Sequence, residues 1–334
     1  MLDAATLLWI AAMPVGFVVL NQGAKFLTDN AAAVAKRNGL GRFAVGAVLV
    51  AVLAALPEIL VSSSAMVEGS PDIAVGNALS SSLIGLSLVI GLSAMIVPIK
   101  STKTIVLRDA LFLATFAVVA AALLLDGDLT ATEGFALIVL FVPYVINLLL
   151  AEKSAKPEEL REAAEGVRIE LEFTGWIFGR RIEVRAGLKW LVFGVLWAVL
   201  GAQLIVRSAI GLSGAFGISE WIVGITAVGI GTSLPDIAAG YHASRRGMTD
   251  LALGAGIGAT IATILLDLGV IGLLRPAALD TGTVLPMVTA MVGGTFLLLA
   301  LMFGRWRITR LGGALLFSVY FVAVAVTLLL ESAQ

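Results

Sequence analysis

The chain has 334 residues, of which 59% are hydrophobic and 13% charged, with a formal net charge of −1. Soluble domains carry about 25% charged residues, so this composition, with a mean hydropathy of +1.03, describes a polytopic membrane protein with no basic surface for nucleic acid. The absence of cysteine excludes disulfides, thiolate metal centres and cysteine nucleophiles. The single histidine, His242, excludes a multi-histidine metal centre.

Met1-Leu2-Asp3 is acidic rather than basic, so the apolar run behind it is expected to be a first transmembrane helix and not a cleaved signal. Runs long enough to cross about 30 Å of hydrocarbon are predicted near 5–29, 42–66, 72–98, 105–125, 131–151, 187–211, 218–243, 250–273, 282–303 and 310–330. The fold class expected is an all-α membrane protein of ten transmembrane helices. Lys36, Arg37 and Arg42, then Lys100, Lys103 and Arg108, then Arg245 and Arg246, then Arg305, Arg307 and Arg310 occupy alternate loops. Acidic residues hold the others: Glu68 and Asp72, Asp126, Asp128 and Glu133, and Glu220. The positive-inside bias then places both termini outside. Residues 153–185 form a charged cytoplasmic connector, with a short helix predicted over 157–165 and a strand over 167–173. It divides the chain into a first repeat, 1–152, and a second, 186–334.

Sliding the chain by 178 positions aligns Gly23 with Gly201, Gly39 with Gly217, Gly46 with Gly224, Leu56-Pro57 with Leu234-Pro235, Gly69 with Gly247, Asp72 with Asp250, Gly76 with Gly254 and Gly91 with Gly269. Each half contributes five crossings. An odd number inserts the second half upside down, giving two inverted five-helix repeats with a substrate site near the midplane where they meet.

The repeat carries an acid directly after a proline in each copy, Leu56-Pro57-Glu58 and Leu234-Pro235-Asp236. A carboxylate at mid-bilayer costs at least about 2.5–3.5 kcal/mol on insertion scales and marks function by default. Pro57 cannot donate to the Leu53 carbonyl, nor Pro235 to that of Gly231, so each helix is expected to kink and free a backbone oxygen. Thr232 and Ser233 add hydroxyls one turn before Asp236. An all-oxygen set suits hard cations such as Ca2+, Na+ or Mg2+. In the third run Gly76-Asn77-Ala78-Leu79-Ser80-Ser81-Ser82 makes a small, polar face, and its counterpart is Gly254-Ala255-Gly256-Ile257-Gly258-Ala259-Thr260 with Thr263 beyond. Packing accounts for the glycines. Asn77, Ser81 and Thr263 are candidate ligands, and Asp267, one turn past Thr263, is a third carboxylate or a relay. His242 and Tyr241 are expected to anchor at the interface, and Lys25, Asp29 and Arg207 to snorkel to headgroups.

These residues resemble the two alpha repeats of the sodium/calcium exchanger branch of the cation/calcium exchanger superfamily: Gly231-Thr232-Ser233-Leu234-Pro235-Asp236, the copy ending at Glu58, Gly76 to Ser82, and Gly201-Ala202-Gln203-Leu204-Ile205-Val206-Arg207-Ser208. The resemblance implies that the acids of both repeats share a cluster of cation sites, that the first and sixth helices slide across a rigid core, and that the chain is a calcium antiporter driven by sodium or protons. The chain departs from the pattern where Ala54-Ala55 replace Thr-Ser, where Gly85, Thr263 and Ala255 stand at polar positions, and where Asp236 replaces Glu. A site with fewer oxygens holds fewer ions at once.

The sequence therefore points to Ca2+ exchanged for H+ or Na+ on Glu58 and Asp236, with inorganic cations and the lipid bilayer as partners and no cofactor. A monovalent Na+/H+ type exchanger, an intramembrane acid/base hydrolase and a transport-dead cation sensor are the alternatives. Oligomeric state is not encoded in these motifs.

Overall fold

A computed structural model describes residues 3–37, 52, 55–101, 106–153, 188–303 and 306–332. The described residues form ten helical segments: α1 Ala4–Arg37, α2 Leu56–Glu68, α3 Pro71–Ile96, α4 106–124, α5 Ala131–Lys153, α6 Leu188–Phe216, α7 Glu220–Arg245, α8 249–274, α9 Thr281–Met302 and α10 Arg310–Glu331. Each falls on one of the ten expected runs. Seven, namely α1, α3 and α6 to α10, are by themselves long and apolar enough to cross a membrane. The helix and strand expected in the connector, and the first half of the second span, lie outside the described residues.

Local chemistry sets the ends of these helices. Thr130 and Glu133 form a reciprocal capping box at the start of α5, with the Thr130 N–H donating to Glu133 Oε2 at 2.8 Å and the Glu133 N–H to Thr130 Oγ1 at 3.3 Å. Ser219, Asp280 and Thr309 each accept a backbone N–H at the starts of α7, α9 and α10. Gly69 and Gly247 close α2 and α7 with φ of 84° and 78°, a left-handed turn that side chains disfavour. Their turns match bond for bond, Ser70 N–H to the Ala65 carbonyl and Met248 N–H to the Ala243 carbonyl, both at 2.9 Å.

Other contacts recur in exchanged form, as a two-fold relation between the halves requires. A Cβ on Gly23 of α1 would lie 2.3 Å from the Ala198 nitrogen of α6, and one on Gly201 of α6 would lie 2.2 Å from the Leu20 nitrogen of α1. The helices therefore cross backbone to backbone. The Thr260 hydroxyl of α8 lies 3.3 Å from the carbonyl of Ser82 on α3, its own counterpart in the first repeat. Among the described residues, four two-residue strands, which the sequence pattern did not reveal, follow the same rule. β1 Ile99–Lys100 pairs antiparallel with β4 Arg307–Ile308, and β2 Asp128–Leu129 with β3 Ala277–Ala278. Each ladder ties a loop of one repeat to a loop of the other.

The core is centred on α3, in which every residue from 73 to 91 is buried. By contrast α1, α6 and α10 turn large apolar side chains outward, among them Leu8, Leu196 and Leu329, which is the surface a bilayer covers. Among the described residues four helices contain a π segment: 85–89 in α3, 106–110 at the start of α4, 224–228 in α7 and 263–267 in α8. Those in α3 and α8 occupy equivalent positions of the two repeats.

Candidate functional site

The helix α2 begins at Leu56 with Pro57 in its first turn, where a missing N–H costs nothing. Glu58 thus sits beside the positive end of a helix dipole. Its side chain is 2% exposed, and its Oε2 is buried without a hydrogen-bond partner. One turn along the same face stands Ser62, also buried.

Asn77 of α3 organises the surroundings. Its amide nitrogen donates to the Glu58 carbonyl at 3.2 Å and to Ser62 Oγ at 2.9 Å, and its Oδ1 accepts from Thr232 Oγ1 of α7 at 3.0 Å. That pattern uses both amide hydrogens and fixes which way the amide points. Thr232 Oγ1 also lies 3.3 Å from Ser81 Oγ and 3.2 Å from the Gly229 carbonyl. Ser62 Oγ in turn lies 3.1 Å from Asp267 Oδ2 of α8 and 3.2 Å from the Ala74 carbonyl. A polar chain runs from Asp267 through Ser62 and Asn77 to Thr232 and Ser81, joining α8, α2, α3 and α7 inside an apolar bundle.

The second acid, Asp236, is half-buried on α7, near enough to Glu58 for their charges to interact, as is Asp267. Ser233 Oγ is buried and faces the Glu58 carboxyl without meeting hydrogen-bond geometry. Asp267 is fully buried and its Oδ1 is unpartnered. Among the described residues no three acidic or histidine groups converge into a ready-made ion cage. Any cation held here draws on hydroxyl, amide and carbonyl oxygens as well as carboxylates.

Glu58, Asn77, Thr232, Ser81 and Asp267 are thus linked by hydrogen bonds through Ser62 and Asn77, with Ser233 and Asp236 close to the Glu58 carboxyl. Thr263 is buried, and its hydroxyl donates to the Ala259 carbonyl at 2.9 Å, the usual bond of a threonine inside a helix, which leaves its oxygen lone pairs unused by that bond. Ser62 is a member that the motifs did not single out, although its position four residues after Glu58 on one helical face is a usable signal. The backbone irregularity of α7 also lies elsewhere than expected. The helix runs through Pro235 without interruption, and the register slips about two to three turns earlier, at 224–228. There the Ile225 carbonyl accepts from Tyr320 Oη of α10 at 2.6 Å and from Ser80 Oγ of α3 at 2.8 Å. Arg207, expected to reach toward the headgroups, is exposed and pairs with Glu68 at 3.1 Å. Leu53 and its carbonyl lie outside the described residues.

Two inverted helical halves meeting on a buried, partly unpaired set of oxygens define a secondary transporter. The chain belongs to the sodium/calcium exchanger protein family, whose model matches residues 8–150 and 187–329, one stretch in each repeat. The sodium/calcium exchanger MaX1 of Methanosarcina acetivorans is 26% identical over 338 residues, covering 94% of this chain and 96% of the relative. The inner membrane protein YrbG of Escherichia coli is 29% identical over 274 residues, 82% of each. The solved structure of the sodium/calcium exchanger from Methanococcus jannaschii superposes with a TM-score of 0.61 at 27% identity, over 96% of this chain and 98% of that one.

Proposed function

We propose that this protein is a secondary-active antiporter that exchanges Ca2+ for H+ or Na+ by alternating access at a site built on Glu58 and Asp236. The observation that carries the reading is the buried, unpartnered Oε2 of Glu58 at the junction of the two repeats. A carboxylate oxygen sealed from water with no donor is costly to maintain, and a passing cation is the partner that would justify it. Asn77, Thr232, Ser81 and Ser233 supply neutral oxygens around it. Divalent calcium matches the formal charge of the Glu58 and Asp236 pair, as two protons or two sodium ions do. An empty site bearing both charges is expensive inside a membrane, which favours exchange over one-way transport.

The sodium/calcium exchanger relatives support the calcium side, and solved structures of the sodium-calcium exchanger NCX_Mj include soaks in Na+ with Sr2+ or Ca2+. The basic loops support an orientation with both termini outside, and the prokaryotic relatives support the plasma membrane. The purified protein in liposomes is expected to take up radioactive calcium only against an outward gradient of protons or sodium. Glu58→Gln should reduce that uptake to the level of empty liposomes while the protein still purifies intact. Uptake indifferent to both gradients, or unchanged in that variant, would overturn the assignment.

A monovalent Na+/H+ type exchanger is the second reading. The alanines at 54 and 55 and the glycine at 85 carry no side-chain oxygen, which lowers the supply of ligands for an ion that commonly gathers six to eight. Sodium uptake without calcium uptake in the same vesicles would select it.

A further inference from the structure

Two turns before Thr232, the backbone of α7 leaves one of its own carbonyls to be served from outside the helix. In an α-helix the Gly229 N–H would bond the Ile225 carbonyl, but in the π segment 224–228 it points to the carbonyls of Gly224 and Thr226. The Ile225 carbonyl accepts instead from Tyr320 Oη of α10 at 2.6 Å and from Ser80 Oγ of α3 at 2.8 Å. A carbonyl has two lone pairs, so both hydroxyls find a place. Ile225, Ser80 and Tyr320 are all buried. Ser80 lies so deep in the groove of α7 that a Cβ on Gly229 would stand 2.2 Å from its Oγ. Neither hydroxyl belongs to the polar chain that links Asp267 to Thr232.

We infer that Tyr320 is a positioning residue for the ion site: with Ser80 it holds the π register of α7 and so aims Thr232, Ser233 and Asp236 toward Glu58. The inference rests on the preceding reading that the site built on Glu58 and Asp236 takes calcium. Each residue of an α-helix turns the chain by about 100°, so undoing the slip would swing everything past 228 through about that angle against the start of α7. Thr232 Oγ1 could not then stay 3.0 Å from Asn77 Oδ1. A buried carbonyl without a donor is costly, so the slip holds where donors from neighbouring helices meet it. Ser80 comes from the central helix α3. Tyr320 comes from α10, a peripheral helix that turns Phe321, Val322 and Leu329 outward and through this one hydroxyl reaches the backbone of α7.

The test uses the full-length protein, in liposomes for calcium uptake and in detergent for backbone amide exchange. Tyr320→Phe keeps the ring and removes only the donor. It should raise the Ca2+ concentration for half-maximal uptake at least about fivefold, the scale of one lost hydrogen bond, while the maximal rate stays within about twofold of the wild type. Amide exchange in the ion-free protein should quicken over 224–236 and stay unchanged over 85–89. In a Thr232→Ala background the same substitution should shift half-saturation less than in the wild type, because part of its effect passes through that hydroxyl. Ser80→Ala should shift half-saturation in the same direction, which keeps the inference testable if Tyr320→Phe does not assemble. Unchanged half-saturation overturns the inference. So does a fall in maximal rate and melting temperature with half-saturation intact, which would make Tyr320 a packing residue of α10. Calcium uptake that survives in Glu58→Gln would sink the first reading alone. The exchange measurement reads the register of α7 without any ion, and unaltered exchange over 224–236 in Tyr320→Phe overturns the hold whatever the uptake shows.

Discussion

At the scale of single residues, Asn77 has more consequences than its bland position suggests. One amide satisfies the Glu58 carbonyl, Ser62 and Thr232, three groups on two other helices, all buried. A buried polar group left without its partner costs about 1–3 kcal/mol. Asn77→Ala removes all three bonds, leaving Thr232 only the Gly229 carbonyl and Ser81, so the melting temperature should fall and calcium uptake in liposomes should drop at least about tenfold. A variant with wild-type uptake would show that the network is scaffolding with no bearing on the ion. The Arg207 and Glu68 pair is different in kind. The arginine is 63% exposed, and surface pairs of this sort contribute about 0–1 kcal/mol.

At the scale of elements, the crossing of α1 and α6 depends on two missing side chains. A Cβ at Gly201 would stand 2.2 Å from the Leu20 nitrogen, and backbone cannot yield as a flexible side chain can. Gly201→Ala must push the two helices apart, with an overpacking cost of about 1–3 kcal/mol. Its melting temperature should fall by several degrees, and transport should fall with it, since the pair lies against α2 and α7, which carry the acids. Unchanged melting and uptake would mean that the close crossing is not needed. The π segments are the other device at this scale. Each inserts a register slip that re-aims the residues beyond it, and the one in α8 ends on Asp267.

For the molecule as a whole, the two antiparallel ladders lock each repeat to the other at loops that the charge pattern puts on opposite sides of the membrane. β1 and β4 lie in basic loops and β2 in an acidic one, while the loop of β3 carries one charge of each sign, Arg275 and Asp280. The orientation is testable with little ambiguity because the chain has no cysteine of its own. Asp126→Cys and Arg245→Cys, both at exposed positions, should react oppositely with a membrane-impermeant maleimide on intact cells. The first is expected to label from outside and the second only after permeabilisation; the reverse would invert the topology.

Ten spans, the doubled Pro-acid motif and the inverted repeat could all be read from the chain, because apolar runs, positive loops and glycine spacing are local properties recorded in the order of residues. The same order marked Glu58 and Asp236 as candidates, since an acid inside a membrane span is costly and functional by default. It could not announce that Ser62 would reach Asp267, that Thr263 would turn its hydroxyl back into its own helix, or that Arg207 would find Glu68. Those depend on how far each helix is rotated where four of them converge, and that rotation is set by π segments and close crossings whose energies are shared among distant residues. Composition and spacing decided which groups enter the membrane; only the packing of one half against the other decided which of their oxygens were left without a partner.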